Sequence, residues 1–233
     1  MALTHKAAVI AAITSISLAT SSYAAFVTAD NVTLNQGSAY FSEQNLISIN
    51  GLDLGADNTL TADDFYTQTF NPAHSWVTNA AYPSYFSNNN PAPVLTFGFD
   101  QALDIDQLAV WGYVGFDNTN GIGNSARQGT IQFSTDGTNF GPLIDFTVDS
   151  TLVGDGASLT SFDTQQDVIA ARITFTDNYS NLNGGDRVGA NLIAFNTAVQ
   201  SDTAIVPTPS AASLTLISLA ALILIRKRKA NLS

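Results

Sequence analysis

Apolar and polar side chains alternate with a period of two along the middle of this chain, between residues 95 and 176. The alternating apolar positions are Leu95, Phe97 and Phe99; Ile131 and Phe133; Ile144, Phe146 and Val148; and Ile173 and Phe175. This period, with β-branched and aromatic residues, is typical of strands that bury one face and expose the other. Turn clusters rich in Gly, Asn and Asp separate the runs, and no stretch between them has a helical period. The sequence therefore predicts an all-β fold, an antiparallel sandwich of the jelly-roll type.

The N-terminus has the three-part order of a secretory signal peptide, which we place at residues 1–25. Lys6 supplies the positive charge, residues 7–19 are mostly apolar, and Ser22 and Ala24 fit the small-x-Ala rule before a cleavage site. The alternative is an amphipathic N-terminal helix. We predict that the chain is exported.

A second membrane signal lies at the C-terminus. Residues 211–225 carry no charge, and four basic residues follow them directly. A helix of this length covers about 22 Å, and snorkelling basic side chains extend its span towards the roughly 30 Å core of a bilayer. Because basic clusters stay in the cytoplasm, we predict a transmembrane helix at 211–225, a cytoplasmic tail at 226–233 and an external location for everything before them.

The residues before this helix carry a recognisable pattern within a linker at 201–210. Val206, Pro207, Thr208 and Pro209, then the apolar helix and the basic cluster, resemble the PEP-CTERM sorting signal of Gram-negative, exopolysaccharide-producing bacteria. That family's motif is Val-Pro-Glu-Pro, so Thr208 stands where the family usually has Glu. The resemblance implies an inner-membrane precursor that an exosortase, a membrane cysteine protease, processes for the cell surface or extracellular matrix. The alternative is an ordinary C-terminal anchor.

Composition limits what the intervening segment, a domain at 26–200, can do. Residues 25–206 contain three arginines and all nineteen acidic residues, an excess of sixteen negative charges. This acidity disfavours nucleic acid and anionic lipid as partners. The chain has no Cys, and His74 is the only histidine after the signal peptide, which excludes disulfides, thiol catalysis and multi-histidine metal centres. No motif supports a catalytic assignment, so we predict a non-catalytic protein.

Several segments, in their order along the chain, resemble discoidin domains, the coagulation-factor C-type family. The matching segments are residues 70–76, 94–99, 103–111, 131–140, 171–176 and 188–195. The first resembles a loop that ends in a buried Trp, and Ser134, Asp136, Gly137 and Phe140 match a Ser-x-Asp-Gly-x-x-aromatic hairpin. The resemblance covers about residues 40–197 and implies a galactose-binding-like jelly roll.

Candidate binding residues follow from where a sandwich can bind, which is on the loops at one end. Aromatic rings stack on the C–H face of a sugar, while Asp, Asn and Arg hydrogen-bond its hydroxyls. Two loop regions combine these types, and the candidates are His74, Trp76, Tyr82, Tyr85, Asp177, Asn178, Tyr179 and Arg187. The alternative for Trp76 is core packing, and for Arg187 a loop-closing ion pair.

We expect the fold to bring the two loop regions together and to bind carbohydrate there, with the cell's own exopolysaccharide as the partner. The alternative is a structural or adhesive protein that binds other proteins without glycan recognition.

One acidic stretch offers oxygen ligands for calcium, the one candidate cofactor. It contains Asp53, Asp57, Asp63 and Asp64, and carboxylates are the ligands that Ca²⁺ prefers. Calcium-binding members of the discoidin family have a Glu in the last strand where this chain has Leu192, which cannot ligate an ion. A solvated acidic loop is the alternative.

Overall fold

A computed structural model describes residues 26–56, 58–66, 72–114, 122–152, 155–182 and 184–198. These residues form an all-β sandwich with antiparallel pairing between its strands, as the alternation predicts. The strands are β1 Phe26–Val27, β2 Asn31–Gln36, β3 Trp76–Val77, β4 Val94–Gly112, β5 Ala126–Ser134, β6 Ile144–Thr147, β7 Ala157–Asn178 and β8 Gly189–Thr197. Short 3-10 turns lie at Glu43–Ile47, Pro72–His74, Phe86–Asn88, Ile122–Asn124 and Ser150–Leu152. The hydrogen-bonded order is β1-β8-β4-β7-β5-β6, with β2 on β4 and β3 on β8.

The two longest strands, β4 and β7, pass through both layers of the sandwich. Residues 94–98 of β4 pair with residues 170–174 of β7 and with β2, while residues 105–111 pair with the start of β7 and with β8. Register shifts interrupt the β4–β7 pairing between Gly98 and Gln107. Such irregularities bend strands, and here they let one strand continue from the first layer into the second.

Alternate burial in the first layer confirms the predicted strand pattern. Leu95, Phe97 and Phe99 are buried, whereas the residues between them are half-buried. Fully burying a side chain of this size contributes about 1.5–3 kcal/mol. The ring centroids of Phe97 and Phe195 lie 5.9 Å apart in an edge-to-face contact that joins β4 to β8. The main core therefore lies between the two layers.

A smaller apolar cluster covers the outer face of the second layer. Trp111 and Leu192 point into it, and Leu60 and Tyr66 pack on them from the loop that precedes β3. The Trp111 Nε1 donates a 2.7 Å hydrogen bond to the backbone carbonyl of Asp64. Because β8 and the end of β4 are buried on both faces, they are mostly apolar and do not alternate, unlike the polar start of β7.

The predicted signal peptide at 1–25, the sorting motif at 206–209, the helix at 211–225 and the basic tail lie outside the described residues and remain predictions. Within the residues that the structure describes, no helix is long and apolar enough to cross a membrane.

Candidate functional site

Three loops start from the same end of the sandwich. Gln36 pairs with Val94, and Val77 pairs with Gly189. The loop after β2, the loop between β3 and β4 and the loop before β8 are therefore neighbours in space. We call this end of the sandwich the loop end.

The structure brings together the two loop regions that the sequence singled out. The backbone N–H of Thr78 donates to the carbonyl of Val188 at 2.9 Å, and the N–H of Ala81 donates to that of Asp186 at 2.7 Å. A third bond runs from the N–H of Tyr85 to the carbonyl of Gly185 at 3.0 Å. The loop between β3 and β4 is thus bonded along its length to the loop before β8.

Arg187 lies at the centre of this contact. Its guanidinium carbon is 4.5 Å from the centroid of the Tyr40 ring, and its Nη1 donates to the carbonyl of Thr78 at 3.0 Å. The Tyr40 side chain is 59% exposed. A cation over an aromatic face contributes about 0.5–1 kcal/mol at an exposed site, so this stacking helps to hold the guanidinium in place.

The loop-closing ion pair considered for Arg187 is not formed with the carboxylates of the described residues. Asp177 is paired with Arg127. Across the described part of the chain, no carboxylate makes an ion-pair contact with the Arg187 guanidinium.

A buried phenol and a carboxylate lie close to Arg187, and a second exposed ring lies on the loop that is bonded to its segment. Burial raises the pKa of the Tyr113 hydroxyl, with smaller effects from the charges of Arg187 and Asp186 and from Tyr40, so its hydroxyl is within electrostatic range of all three. Tyr82 is 88% exposed and follows Ala81, whose backbone bonds Asp186. We call Tyr40, Tyr82, Asp186 and Arg187 the loop-end platform.

Two asparagines fix the backbone that carries Arg187. Asn178 donates from Nδ2 to the carbonyls of Gly185, at 2.8 Å, and Arg187, at 2.7 Å. Asn124 accepts through Oδ1 the N–H groups of the same two residues, at 2.7 and 3.1 Å. Gly185 has a φ of +98°, and a Cβ there would lie 2.5 Å from the Cα of Ser180, so glycine is required. Asn178 is 1% exposed and positions the loop from within.

Trp76 and Tyr85 are buried beneath the loops. Trp76 has no exposed surface, and its ring stacks on Phe175 with centroids 5.8 Å apart. The Tyr85 hydroxyl donates to the carbonyl of Pro91 at 3.1 Å, and burial raises its pKa. Core packing is therefore the arrangement observed for Trp76, and neither ring offers a face to a ligand.

The remaining predicted residues lie apart from the loop-end platform. Asp177 pairs with Arg127, and the Tyr179 hydroxyl donates to the carbonyl of Val148. His74 ends a 3-10 turn, and its ring lies 5.9 Å from that of Tyr66, between centroids. These three side chains do not join Arg187.

The acidic stretch contributes no metal cluster among the residues described. No group of three acidic or histidine side chains converges there or elsewhere in that part of the chain. Asp53 and Asp63 are exposed, and the carboxylate of Asp64 accepts the N–H of Thr61 at 2.6 Å, closing a local turn. Asp57 lies outside the described residues.

Sequence reasoning missed Tyr40 and Tyr113. The available signal for Tyr40 was its place in an aromatic pair, Tyr40-Phe41, just after the turn residue Gly37. Tyr113 directly follows β4, and a side chain at such a position is ordinarily expected to pack in the core. Neither position reveals its neighbours until the strands are paired.

No protein-family model matches the chain, and no curated protein matches it at a significant level. Among solved structures, it is similar to a putative chitobiase fragment from Bacteroides thetaiotaomicron, with a TM-score of 0.51 and 12% identity over 76% of this chain and 95% of that one. It also matches the CBM32 of AlyQ in complex with 4,5-unsaturated mannuronic acid, with a TM-score of 0.45 and 16% identity over 74% of this chain and 98% of that one. CBM32-3 from a family 31 glycoside hydrolase from Clostridium perfringens matches with a TM-score of 0.45 and 15% identity, covering 73% and 90%. The predicted fold, a galactose-binding-like antiparallel sandwich, is confirmed.

Proposed function

We propose that the domain binds carbohydrate and that the loop-end platform is its binding surface. The observation that carries the proposal is the guanidinium of Arg187 held over the exposed ring of Tyr40, beside a loop whose Tyr82 is 88% exposed. Exposed rings give an apolar face for the C–H groups of a pyranose. Arg187 donates hydrogen bonds to sugar hydroxyls, and Asp186 accepts them.

The same geometry supports a non-catalytic role. Hydrolysis of a glycosidic bond ordinarily uses two carboxylates that flank it. The loop-end platform contains one carboxylate, Asp186, while Asp177 lies apart from it and is paired with Arg127. An open surface with one carboxylate is suited to holding a sugar and leaves its bonds intact.

The expected affinity is modest. The two rings of the loop-end platform are exposed and its two charged residues are half-buried, whereas tight small-molecule sites enclose most of the ligand. We expect dissociation constants of about 0.1–1 mM for a short oligosaccharide, about −4 to −5.5 kcal/mol. Detection therefore requires titration at high ligand concentration.

A glycan array followed by calorimetric titration of the purified protein tests this proposal. Tyr40→Ala and Tyr82→Ala should each weaken binding at least about tenfold, since each removes a stacking face. Phe65→Ala is the matched control, because Phe65 is also an exposed ring, 43% exposed, but lies on the loop that covers the outer face of the second layer. Wild-type affinity in both tyrosine variants would refute the loop-end platform as the site.

For the cell, we propose export by the N-terminal signal and sorting by an exosortase at residues 206–209, so that the domain binds exopolysaccharide at the surface or in the matrix. The order of motif, apolar helix and basic cluster supports this. Intact-mass measurement of the protein from native cells should find residues 226–229 missing. A mass that includes these residues would exclude sorting with cleavage and would favour an ordinary C-terminal anchor.

One observation favours the alternative, a structural or adhesive domain. Trp76 and Tyr85 are both buried, so two of the candidate rings are unavailable to a sugar. Under this alternative, the protein would bind no glycan, including the polysaccharide of its own cells, while still binding other matrix proteins.

A further inference from the structure

We propose that the loop-end platform selects a carboxylated sugar, such as a hexuronic acid residue of a polysaccharide, through the guanidinium of Arg187. This inference rests on the proposed carbohydrate-binding function and deepens it by naming the charged group that the site accepts.

The acidic domain contains three arginines, Arg127, Arg172 and Arg187. Arg127 is paired with Asp177, and the Arg172 guanidinium lies 3.7 Å from the ring centroid of Phe140, beside the hairpin that follows β5. Arg187 is at the loop end and, within the described ranges, meets no carboxylate in an ion-pair contact. Acidic residues outnumber basic ones so heavily in this domain that a half-buried guanidinium without an ion-pair contact to a described carboxylate is unexpected. Its position suits an anion supplied from outside.

The guanidinium also retains the donors that such an anion needs. Arg has five N–H donors in a planar fork, and the Nη1 of Arg187 donates to the carbonyl of Thr78. The Tyr40 ring covers one face of the plane and leaves hydrogen bonding to its edge. A carboxylate matches this fork with two parallel hydrogen bonds, each roughly twice as strong as a bond to a neutral acceptor.

The negative charge of the domain opposes this binding without cancelling it. Repulsion from distant carboxylates is screened over about 8 Å at physiological ionic strength. At short range, Asp186 precedes Arg187 in the chain but, among the described contacts, forms no ion pair with its guanidinium. The direct contact with the guanidinium therefore decides between a carboxylated and a neutral sugar.

The test compares three probes at about 150 mM salt: a hexuronic acid oligosaccharide, its methyl ester, and the corresponding neutral oligosaccharide. The ester keeps the shape of the acid and removes its charge. We expect the acid to bind wild-type protein about tenfold more tightly than the ester. Arg187→Gln should abolish that preference, Arg187→Lys should keep part of it, and Arg172→Gln should keep all of it, with thermal melting showing that each variant is folded.

The outcomes separate this inference from the function on which it rests. Equal affinity for the acid and its ester, or a preference that survives in Arg187→Gln, would overturn selection by charge while carbohydrate binding stands. Failure of every probe and of every glycan on the array to bind would overturn the carbohydrate-binding function itself. A preference for the acid that disappears in Arg187→Gln alone would establish the inference.

Discussion

Replacing Asn178 with alanine should destabilise the protein through the loop that carries Arg187. The side chain is 1% exposed and donates to the carbonyls of Gly185 and Arg187 at 2.8 and 2.7 Å. Leaving a buried acceptor without its donor costs about 1–3 kcal/mol. The bond to Gly185 is fully buried, whereas that to Arg187 is partly exposed to water. We therefore expect Asn178→Ala to lower the free energy of unfolding by about 2–4 kcal/mol.

Scanning calorimetry measures this effect directly. For a domain of this size, each kcal/mol shifts the melting temperature by about 2–4 °C, so Tm should fall by roughly 4–16 °C. Asn88→Ala is the matched control, because Asn88 also donates two hydrogen bonds to loop carbonyls, those of Ala81 and Tyr82 at 3.0 and 2.6 Å, but is exposed. Water replaces those bonds, so its Tm should change by less than about 2 °C. Equal shifts in the two variants would refute the reasoning that burial sets the cost.

Three other changes have expected outcomes. Gly129→Ala should lower the free energy of unfolding, measured in urea, by about 1–3 kcal/mol, because its Cβ would lie 2.5 Å from a ring carbon of β6; unchanged stability would contradict the packing described. Trp111→Phe should lower the free energy of unfolding by about 1–2 kcal/mol more than Trp76→Phe does. The reason is that the Trp111 Nε1 donates a buried hydrogen bond, whereas that of Trp76 has no partner among the described residues. Equal losses of stability in the two variants would contradict this. Hydrogen bonds from the backbone and side chain of Asn139 hold the pKa of Asp136 below its ordinary value of 3.8. The ionised carboxylate therefore stabilises the folded protein above pH 3.8, and this stabilisation is lost as the pH falls below that value. The Tm deficit of Asp136→Ala should therefore shrink in acid, and a deficit independent of pH would contradict this sign.

Strands β4 to β7 could be predicted from alternation, whereas the short strands β1 and β3 and the strand β2 were not predicted. Alternation along Leu95, Phe97 and Phe99 reports directly which side faces the core, since side chains in a strand point to opposite faces in turn. The alternation fails in residues 190–195, because both faces of β8 are buried. In this mostly apolar run, the sequence pattern does not show which side chains point to which side of the sheet.

The loop-end platform could be predicted only in part, because residue type does not distinguish a ligand contact from a structural one. The amide of Asn178 can bond a sugar hydroxyl or a backbone carbonyl, and burial alone shows that it does the second. Tyr40 joins Arg187 because its backbone N–H donates to the carbonyl of Val77 in β3, and this contact joins distant parts of the chain. Arg187 was identifiable, since it is a rare cation in an acidic sequence.

The pairing of β1 with β8 has a consequence for how the domain would act when it is fixed in place. Phe26 lies opposite Asn196, so the start of β1 and the end of β8 lie side by side. β8 runs nine residues from the loop end towards these termini, a distance of roughly 30 Å. An artificial attachment made at residue 198 would thus leave the loop-end platform free at the far end of β8. Many copies on one surface would engage a single polymer together, and such avidity raises apparent affinity by about 10²–10⁴ over that of one weak contact.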